Sequence, residues 1–258
     1  MSTTSATDAI EYLRRLDGHR IAYVSTPGDV PGVLFCGGFM SDMTGTKAQA
    51  LETACRRAGR AYTRFDYLGH GSSSGEFTEG TIGRWADDAI AVLDHLDPAP
   101  YVLVGSSMGG WIMLLAALAR CERVAGLVGI AAAPDFTEKL MWQRYSEDVR
   151  DTLRREGCYY EPSIYDEDPY PITLELIEEG RKHLLLKSLI PLTHPVRLLH
   201  GIQDPDVPWQ HSLALVEALA GNDVQATFIK DGDHRLSRDQ DIALICQTVL
   251  ELCAQCGR

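Results

Sequence analysis

The stretch from Tyr101 to Ala119 constrains the fold more than any other part of the chain. It begins with Tyr-Val-Leu-Val, a short apolar run of β-favouring residues, and continues beyond a small-residue turn with apolar side chains at helical spacing. Between the two, residues 105–109 have the sequence Gly-Ser-Ser-Met-Gly, which matches G-x-S-x-G. In that pattern the central serine occupies a strained strand-to-helix turn, and the flanking glycines leave the backbone room to form it. The stretch therefore predicts a buried strand, a tight turn that exposes Ser107, and a helix.

Strands and helices alternate on both sides of this stretch. Apolar runs and helical periodicity predict strands at 33–36, 61–65, 124–131, 196–200 and 225–229, and helices at 44–58, 81–96, 209–220 and 237–252. Near the start, residues 11–16 and 19–25 flank Asp17-Gly18, a strong hairpin signal. This alternation is typical of an α/β fold, a mostly parallel sheet with helices on both faces. We therefore predict a single α/β domain over residues 1–258.

Residues 134–193 depart from this alternation. Helical spacing predicts a long helix at 136–156 and another at 172–189, and the residues between them are rich in Tyr, Pro and acidic side chains. A segment of this size between two strands is predicted to be a helical cap over the ends of the strands, where α/β sheets bind ligands. The alternative is a helical excursion packed on the edge of the sheet.

The predicted cap is rich in aromatic side chains. They are Trp142, Tyr145, Tyr159, Tyr160 and Tyr165. These rings either line a pocket for the substrate or pack the cap onto the sheet, since buried aromatic residues serve cores first. Trp142, Tyr145 and Tyr160 are our candidate substrate-binding residues.

Charge and hydropathy exclude two classes of function. The formal net charge is -12, with Lys and Arg scattered along the chain, so nucleic acid would be repelled. No apolar run approaches the ~18 residues of a membrane span, and residues 1–8 are polar with no signal region. We expect a soluble cytoplasmic protein that does not bind nucleic acid and has no membrane span, with a small-molecule or acylated substrate.

The seven cysteines are an odd number spread through the whole chain, which favours reduced thiols. Cys253 and Cys256 have C-x-x-C spacing, but a zinc site would need two more clustered ligands. We therefore predict no metal and no cofactor, and expect these two thiols to be exposed and prone to oxidation.

A serine nucleophile requires a base within hydrogen-bond reach and an acid that orients this base. His234 directly follows the predicted strand at 225–229, at the edge of the sheet where Ser107 is also expected, so it is the predicted base. Three residues are candidates for the acid. Asp204 and Asp206 follow the strand at 196–200, and Asp135 follows the strand at 124–131.

A tetrahedral oxyanion requires two hydrogen-bond donors. One is expected to be the backbone N–H of Met108, directly after the nucleophile, and the other an N–H from the loop after residues 33–36. Phe39, which follows Gly37-Gly38, is the predicted second donor.

Four motifs together resemble those of the α/β-hydrolase superfamily across nearly the whole chain. They are the G-x-S-x-G at 105–109, Asp-x-x-Gly-x-Gly-x-Ser at 66–73, His-Gly-x-x-Asp-x-x-Val-Pro at 200–208 and Gly-Asp-His at 232–234. The resemblance implies the α/β-hydrolase fold and a triad of Ser107, Asp204 and His234. It thereby selects Asp204 as the acid.

Further matches at 43–48, 64–67, 104–111, 197–201, 207–209 and 233–235 are similar to the mitochondrial palmitoyl-protein thioesterase and mycophenolic acid acyl-glucuronide esterase type of α/β-hydrolase. This resemblance implies hydrolysis of carboxylic esters or thioesters, including S-acyl cysteine and acyl glucuronides. The chain lacks the basic, serine-rich start expected for mitochondrial import, so we expect a bacterial relative. The cap carries fewer matching residues than the core.

Two other functions remain compatible with these motifs. Carbon–carbon bond hydrolases of the same fold share the triad and the cap. A binding module without turnover is the other alternative, and the intact Ser107, Asp204 and His234 argue against it. Enzymes of this fold with an aspartate nucleophile fit poorly, because this chain has a serine at that position.

Overall fold

The computed structural model describes residues 9–163 and 168–257, so Tyr165 lies outside the described residues. The strands are β1 (Glu11–Arg14), β2 (Arg20–Thr26), β3 (Asp29–Cys36), β4 (Arg60–Phe65), β5 (Tyr101–Ser106), β6 (Val124–Ile130), β7 (Cys158–Glu161), β8 (Tyr170–Thr173), β9 (Val196–Gly201) and β10 (Val224–Ile229). The α-helices are α1 (Thr46–Arg57), α2 (Ile82–His95), α3 (Met108–Ala119), α4 (Glu147–Glu156), α5 (Leu174–Gly180), α6 (Gln210–Ala218) and α7 (Asp239–Cys256).

Eight strands form the central sheet in the order β1-β2-β4-β3-β5-β6-β9-β10. From β4 to β10 all neighbours are parallel, whereas β1 and β2 form an antiparallel hairpin at one edge. The predicted α/β fold, with a large and mostly parallel sheet flanked by helices, is therefore confirmed. Because parallel strands end at one edge, the loops after β3, β5, β9 and β10 meet there.

Strand β5 lies in the middle of the sheet and is buried along its whole length. Val102 and Val104 face one hydrophobic cluster, together with α1 and α7, while Leu103 faces the other, with α2 and α3. This two-residue alternation places apolar side chains on both faces. Helix α3 consists almost entirely of apolar residues, which suits its position between the sheet and α2. The Nε1 of its Trp111 donates a hydrogen bond to the His183 carbonyl.

The segment between β6 and β9, residues 131–195, is called the cap below, and it differs from the prediction. The expected helix at 136–156 is wrong, because a π-helical turn (Thr137–Trp142) precedes the separate helix α4. Ser146 begins α4 by accepting a hydrogen bond from the Val149 N–H, at 3.4 Å. Strands β7 and β8 form an antiparallel hairpin where no strand was predicted.

The second predicted helix of this segment, at 172–189, is also wrong, because α5 covers only Leu174–Gly180. The leucines at 184–186 pack on the core without belonging to an α-helix. These leucines are apolar because they contact the core, and their presence does not indicate a helix.

All seven cysteines are free. The expected exposure of the C-x-x-C pair is wrong, because Cys253 is fully buried and the Cys256 thiol donates to the Ala125 carbonyl at 3.2 Å. Over the described residues, no helix combines the length and the apolar character that crossing a membrane requires.

Candidate active site

Ser107 lies at the sharp turn between β5 and α3, with φ 53° and ψ −118°. Left-handed φ values are unusual for residues other than glycine, so the surroundings must hold this conformation. Gly105 and Gly109 allow it. A Cβ on Gly105 would overlap the Gly109 carbonyl, and a Cβ on Gly109 would overlap the Cys36 carbonyl. The two glycines thus let strand and helix approach closely enough to expose the serine.

His234, in the loop after β10, reaches Ser107 at the edge of the sheet where the parallel strands end, although β6 and β9 lie between β5 and β10. Its Nε2 lies 3.1 Å from the Ser107 Oγ, and its Nδ1 lies 2.8 Å from the Asp204 Oδ2. When Nδ1 carries the proton and donates it to Asp204, Nε2 is an acceptor that faces the serine hydroxyl. The arrangement can therefore accept a proton from Ser107.

The Asp204 carboxylate is fully buried and has several hydrogen-bond donors around it. Its Oδ1 accepts the N–H groups of Asp206 and Val207, at 2.9 and 2.8 Å. Burial opposes the charged form, but hydrogen bonds from His200 and His234 outweigh it and hold the pKa of Asp204 well below its ordinary value. Asp204 is thus a charged acceptor for the His234 imidazole.

The structure places the other two candidate acids differently. Asp135 is buried and accepts the N–H groups of Leu185 and Leu186, at 2.7 and 3.0 Å, so it fastens the end of the cap. Asp206 lines the cavity beside Ser107, and its backbone N–H serves Asp204.

Asp204, Asp206 and His234 are also the single cluster of His, Cys, Asp and Glu within residues 9–163 and 168–257 whose ligand atoms lie close enough to hold a metal ion. Two of its three members already bond to each other, at 2.8 Å.

His200 is a buried residue of this site to which the sequence alone assigned no role. Its Nε2 lies 3.2 Å from the Asp204 Oδ2 and 2.9 Å from the Val207 carbonyl, and its Nδ1 lies 2.7 Å from the Ser212 Oγ. It braces the turn that carries the acid. Its position as the first residue of the motif at 200–208 is the sequence feature that could have indicated this role.

The loop after β3 carries Phe39 beside the nucleophile. An ideal Cβ on Gly38 would lie 3.6 Å from the Ser107 Cβ, so this loop and the serine are in contact. The Phe39 ring forms edge-on contacts with Phe77, Trp85, Phe136 and Tyr170; these residues span the core, the loops and the cap. Among the described residues, no hydrogen-bond acceptor is seen for the N–H of Phe39 or of Met108. Both residues line the cavity beside Ser107.

Two charged residues of β4 and its following loop anchor the far end of the Phe39 loop. Asp66 Oδ1 accepts the Met43 N–H at 2.6 Å, and Arg64 donates to the Met43 carbonyl at 2.9 Å. Arg64 in turn forms a buried ion pair with Glu52 of α1, at 2.8 Å. Burial raises the pKa of Asp66, although the N–H groups of Ser72 and Met43 oppose this. The Asp-x-x-Gly-x-Gly-x-Ser motif therefore supports the loop.

A cavity of about 840 Å³ lies over Ser107 and His234, between the sheet and the cap. Its apolar wall includes Phe39, Phe136, Leu140, Met141 and Tyr170, and its polar wall includes Lys47, Arg144, Glu161, Asp206 and Arg235. A volume of this size suits a ligand larger than a simple acetyl ester.

Of the three predicted substrate-binding residues, the structure brings only Tyr145 to this cavity, where its hydroxyl donates to Glu161 at 3.2 Å. Trp142 lies outside the lining, with the guanidinium groups of Arg150, Arg154 and Arg181 at 4.8–5.4 Å from its ring. Tyr160 is also outside and 63% exposed. Leu140, Met141 and Glu161 also line the cavity, and the aromatic content of the cap does not point to them.

Comparison with known proteins identifies relatives of this chain. The family described as "alpha/beta hydrolase fold" matches residues 31–157. A mouse protein (Mus musculus) named "Palmitoyl-protein thioesterase ABHD10, mitochondrial" is 41% identical over 245 residues, which cover 95% of this chain and 82% of the mouse protein.

Solved structures agree with this match. The mouse "Alpha/beta hydrolase domain-containing protein 10" superposes with a TM-score of 0.89 at 40% identity, covering 96% of this chain and 99% of the mouse structure. A crystal structure of a protein from Agrobacterium vitis S4 superposes with a TM-score of 0.90 at 41% identity, covering 95% and 99% of the two chains.

Proposed function

We propose that this chain, which belongs to the α/β-hydrolase family, hydrolyses carboxylic ester or thioester bonds with Ser107 as the nucleophile. The observation that carries the proposal is the continuous hydrogen-bonded line from Ser107 through His234 to Asp204, with distances of 3.1 and 2.8 Å. Nucleophile, base and orienting acid in this order form a Ser-His-Asp triad.

In the first half of the reaction, His234 accepts the Ser107 proton while Oγ attacks the carbonyl carbon of the substrate. The Asp204 carboxylate stabilises the imidazolium that forms. The oxyanion accepts hydrogen bonds from the Phe39 and Met108 N–H groups. When the intermediate collapses, His234 returns the proton to the departing alcohol or thiol, and an acyl-enzyme remains.

In the second half, water replaces the alcohol or thiol. His234 takes a proton from the water, the hydroxide attacks the acyl carbonyl, and the proton returns to the Ser107 Oγ as the carboxylic acid leaves. The same oxyanion donors serve both halves, so each group of the site is used twice.

The substrate class is supported by the cavity and by the relatives. An apolar wall that includes Leu140 and Met141 beside the nucleophile suits an acyl chain. The mouse relative is named a palmitoyl-protein thioesterase, and its name also says mitochondrial. The cytoplasmic location of this chain stays a prediction.

A fluorophosphonate probe tests the nucleophile. Wild type should be labelled and should turn over a pair of substrates that have the same acyl group on oxygen and on sulfur. Ser107→Ala should lose labelling and turnover of both, while Ser188→Ala, at an exposed serine outside the cavity, should behave as wild type. Labelling of Ser107→Ala together with undiminished turnover would contradict the proposal.

A further inference from the structure

A lysine from α1 contacts the loop that carries His234. Lys47 lies in the first turn of α1, and its Nζ donates to the carbonyl oxygen of Arg235 at 2.6 Å. Arg235 directly follows His234 in the sequence. The contact therefore joins the loop after β10 to a helix from the opposite end of the chain, one residue away from the base.

The rest of this loop is fixed on both sides of His234. Before it, the Gln203 N–H donates to the Gly232 carbonyl at 2.9 Å. After it, the Leu236 N–H donates to the Asp233 carboxylate at 2.9 Å, and the Leu236 side chain is fully buried. Between these two anchors lies the peptide of Arg235, and Lys47 holds its carbonyl.

The backbone next to Lys47 is held in place. The next residue, Ala48, is buried, and its carbonyl accepts the Tyr62 hydroxyl at 2.7 Å. A long side chain can position a partner only when its own backbone is fixed, since otherwise the partner moves with it. Burial lowers the pKa of Lys47 to about 8, an effect that Arg235 reinforces and Asp233 opposes.

We propose that Lys47 is a positioning residue, which holds the loop after β10 so that the His234 imidazole stays at hydrogen-bond distance from Ser107. This inference rests on the proposed function. Both halves of the reaction move a proton through His234, so its placement affects each of them. A misplacement of about 1 Å in a catalytic group can cost roughly 10²-fold in rate. Loss of the Lys47 contact should therefore lower kcat and leave substrate binding little changed.

Lys47→Met tests this, because methionine keeps most of the apolar stem and removes the donor. On a short-chain ester we expect kcat to fall by roughly 10- to 100-fold with KM within about twofold of wild type. The rate of fluorophosphonate labelling of Ser107 should fall in parallel. Lys47→Arg, which restores a donor, should recover most of both rates. Lys230→Met, at an exposed lysine where β10 ends, is the matched control and should match wild type.

Three results would overturn the inference. The first is a Lys47→Met enzyme with wild-type kcat and labelling rate. The second is a defect confined to KM, which would make Lys47 a substrate ligand, since it also lines the cavity. The third is a kcat loss that Lys47→Arg does not recover.

Should Lys47→Met fail to fold, Lys47→Gln replaces it in the same comparison with Lys47→Arg, because glutamine is polar but shorter. A wild-type protein that is neither labelled nor active on esters and thioesters would overturn the proposed function as well. An active wild type beside an equally active Lys47→Met would overturn only the role of Lys47.

Discussion

Asp204 keeps its charge in a buried position because every oxygen of its carboxylate has partners. Two backbone N–H groups and two histidine nitrogens lie between 2.8 and 3.2 Å from it. A buried carboxylate without such partners would be protonated at neutral pH. Three of these four partners come from the motif at 200–208, namely His200 near the end of β9 and Asp206 and Val207 in the turn after it, and the fourth is His234. The motif therefore encodes the acid together with most of its support.

Asp204→Asn tests the acid at the residue scale. An amide at this position can donate to Nδ1 and so favour the tautomer whose Nε2 is protonated and unable to act as a base. We expect kcat to fall by about 10³- to 10⁴-fold with little change in KM. Asp206→Asn is the matched comparison, since Asp206 was another candidate acid and the carboxylate at 2.8 Å from His234 Nδ1 belongs to Asp204, so Asp206→Asn should keep kcat within about tenfold of wild type. Equal losses in the two variants would contradict the assignment.

His70 provides a prediction about stability against pH. The ring is 4% exposed among Tyr67, Phe77 and Trp85, and burial lowers its pKa from the ordinary 6.5 to about 4. Below pH 6.5 the unfolded chain binds a proton here that the folded protein does not bind until about pH 4. The contribution of His70 to stability is therefore present above pH 6.5 and is lost as the pH falls towards 4.

His70→Phe should remove this dependence. Between pH 7.5 and 4.5 the free energy of unfolding of wild type should fall by roughly 2 to 3 kcal/mol more than that of His70→Phe. Urea unfolding of both proteins at the two pH values measures the difference. Parallel pH profiles for the two proteins would show that His70 does not titrate in this way.

At the scale of elements, the Phe39 loop and the β5–α3 turn meet at Gly38. An added Cβ there would lie 3.4 Å from the Ser106 carbonyl and 3.6 Å from the Ser107 Cβ, distances that allow ordinary contact. A branched side chain adds carbons beyond this contact, and we expect them to press on the turn at Ser106 and Ser107 and to displace the loop from the serine.

Gly38→Ala is therefore expected to fold and retain activity, whereas Gly38→Val should fold but lose about 10²-fold or more in kcat by moving the Phe39 N–H from the oxyanion. Thermal unfolding and ester turnover of the two variants separate these effects. Equal activity in both would argue that the loop contributes no oxyanion donor.

The elements predicted best are those whose sequence pattern is contained in the element itself. The periodicity of α2 places this helix within one residue of its observed ends, the apolar run of β5 gives the observed start of the strand and stops two residues short of its end, and glycine spacing predicts the turn at Ser107. The cap was predicted poorly for a physical reason. Pairing of β7 with β8 depends on a partner strand beyond the local window, and the π-helical turn interrupts a periodicity that otherwise favours one long helix.

For the candidate site, chain order and strand ends placed Ser107, Asp204 and His234 at one edge of the sheet, and the structure brings them within hydrogen-bond distance. Their catalytic role stays a prediction. Trp142 was chosen as an aromatic residue of the cap, but which face of the cap meets the cavity is a tertiary property. Its ring instead packs against three arginines.

At the scale of the whole molecule, the sheet and the cap have separate tasks. The loops at the sheet edge carry the proposed nucleophile, base and acid, and the cap supplies the apolar wall of the cavity through Leu140 and Met141. Phe39 joins the two, because its ring contacts both Trp85 below and Tyr170 of β8 above. Changes on the cap wall should therefore alter which acyl groups are accepted without altering the chemistry.

Leu140→Trp tests this division. The larger ring should occupy part of the cavity of about 840 Å³ and leave the triad untouched. Along a series of p-nitrophenyl esters, we expect kcat/KM for long acyl chains to fall by roughly tenfold or more while that for the acetyl ester stays within about twofold, since the lost contacts are those of the distal chain. Leu213→Trp, on the exposed side of α6 and outside the cavity, should leave the whole series unchanged. A uniform loss over all chain lengths in Leu140→Trp would show that this wall supports the triad and does not select the acyl group.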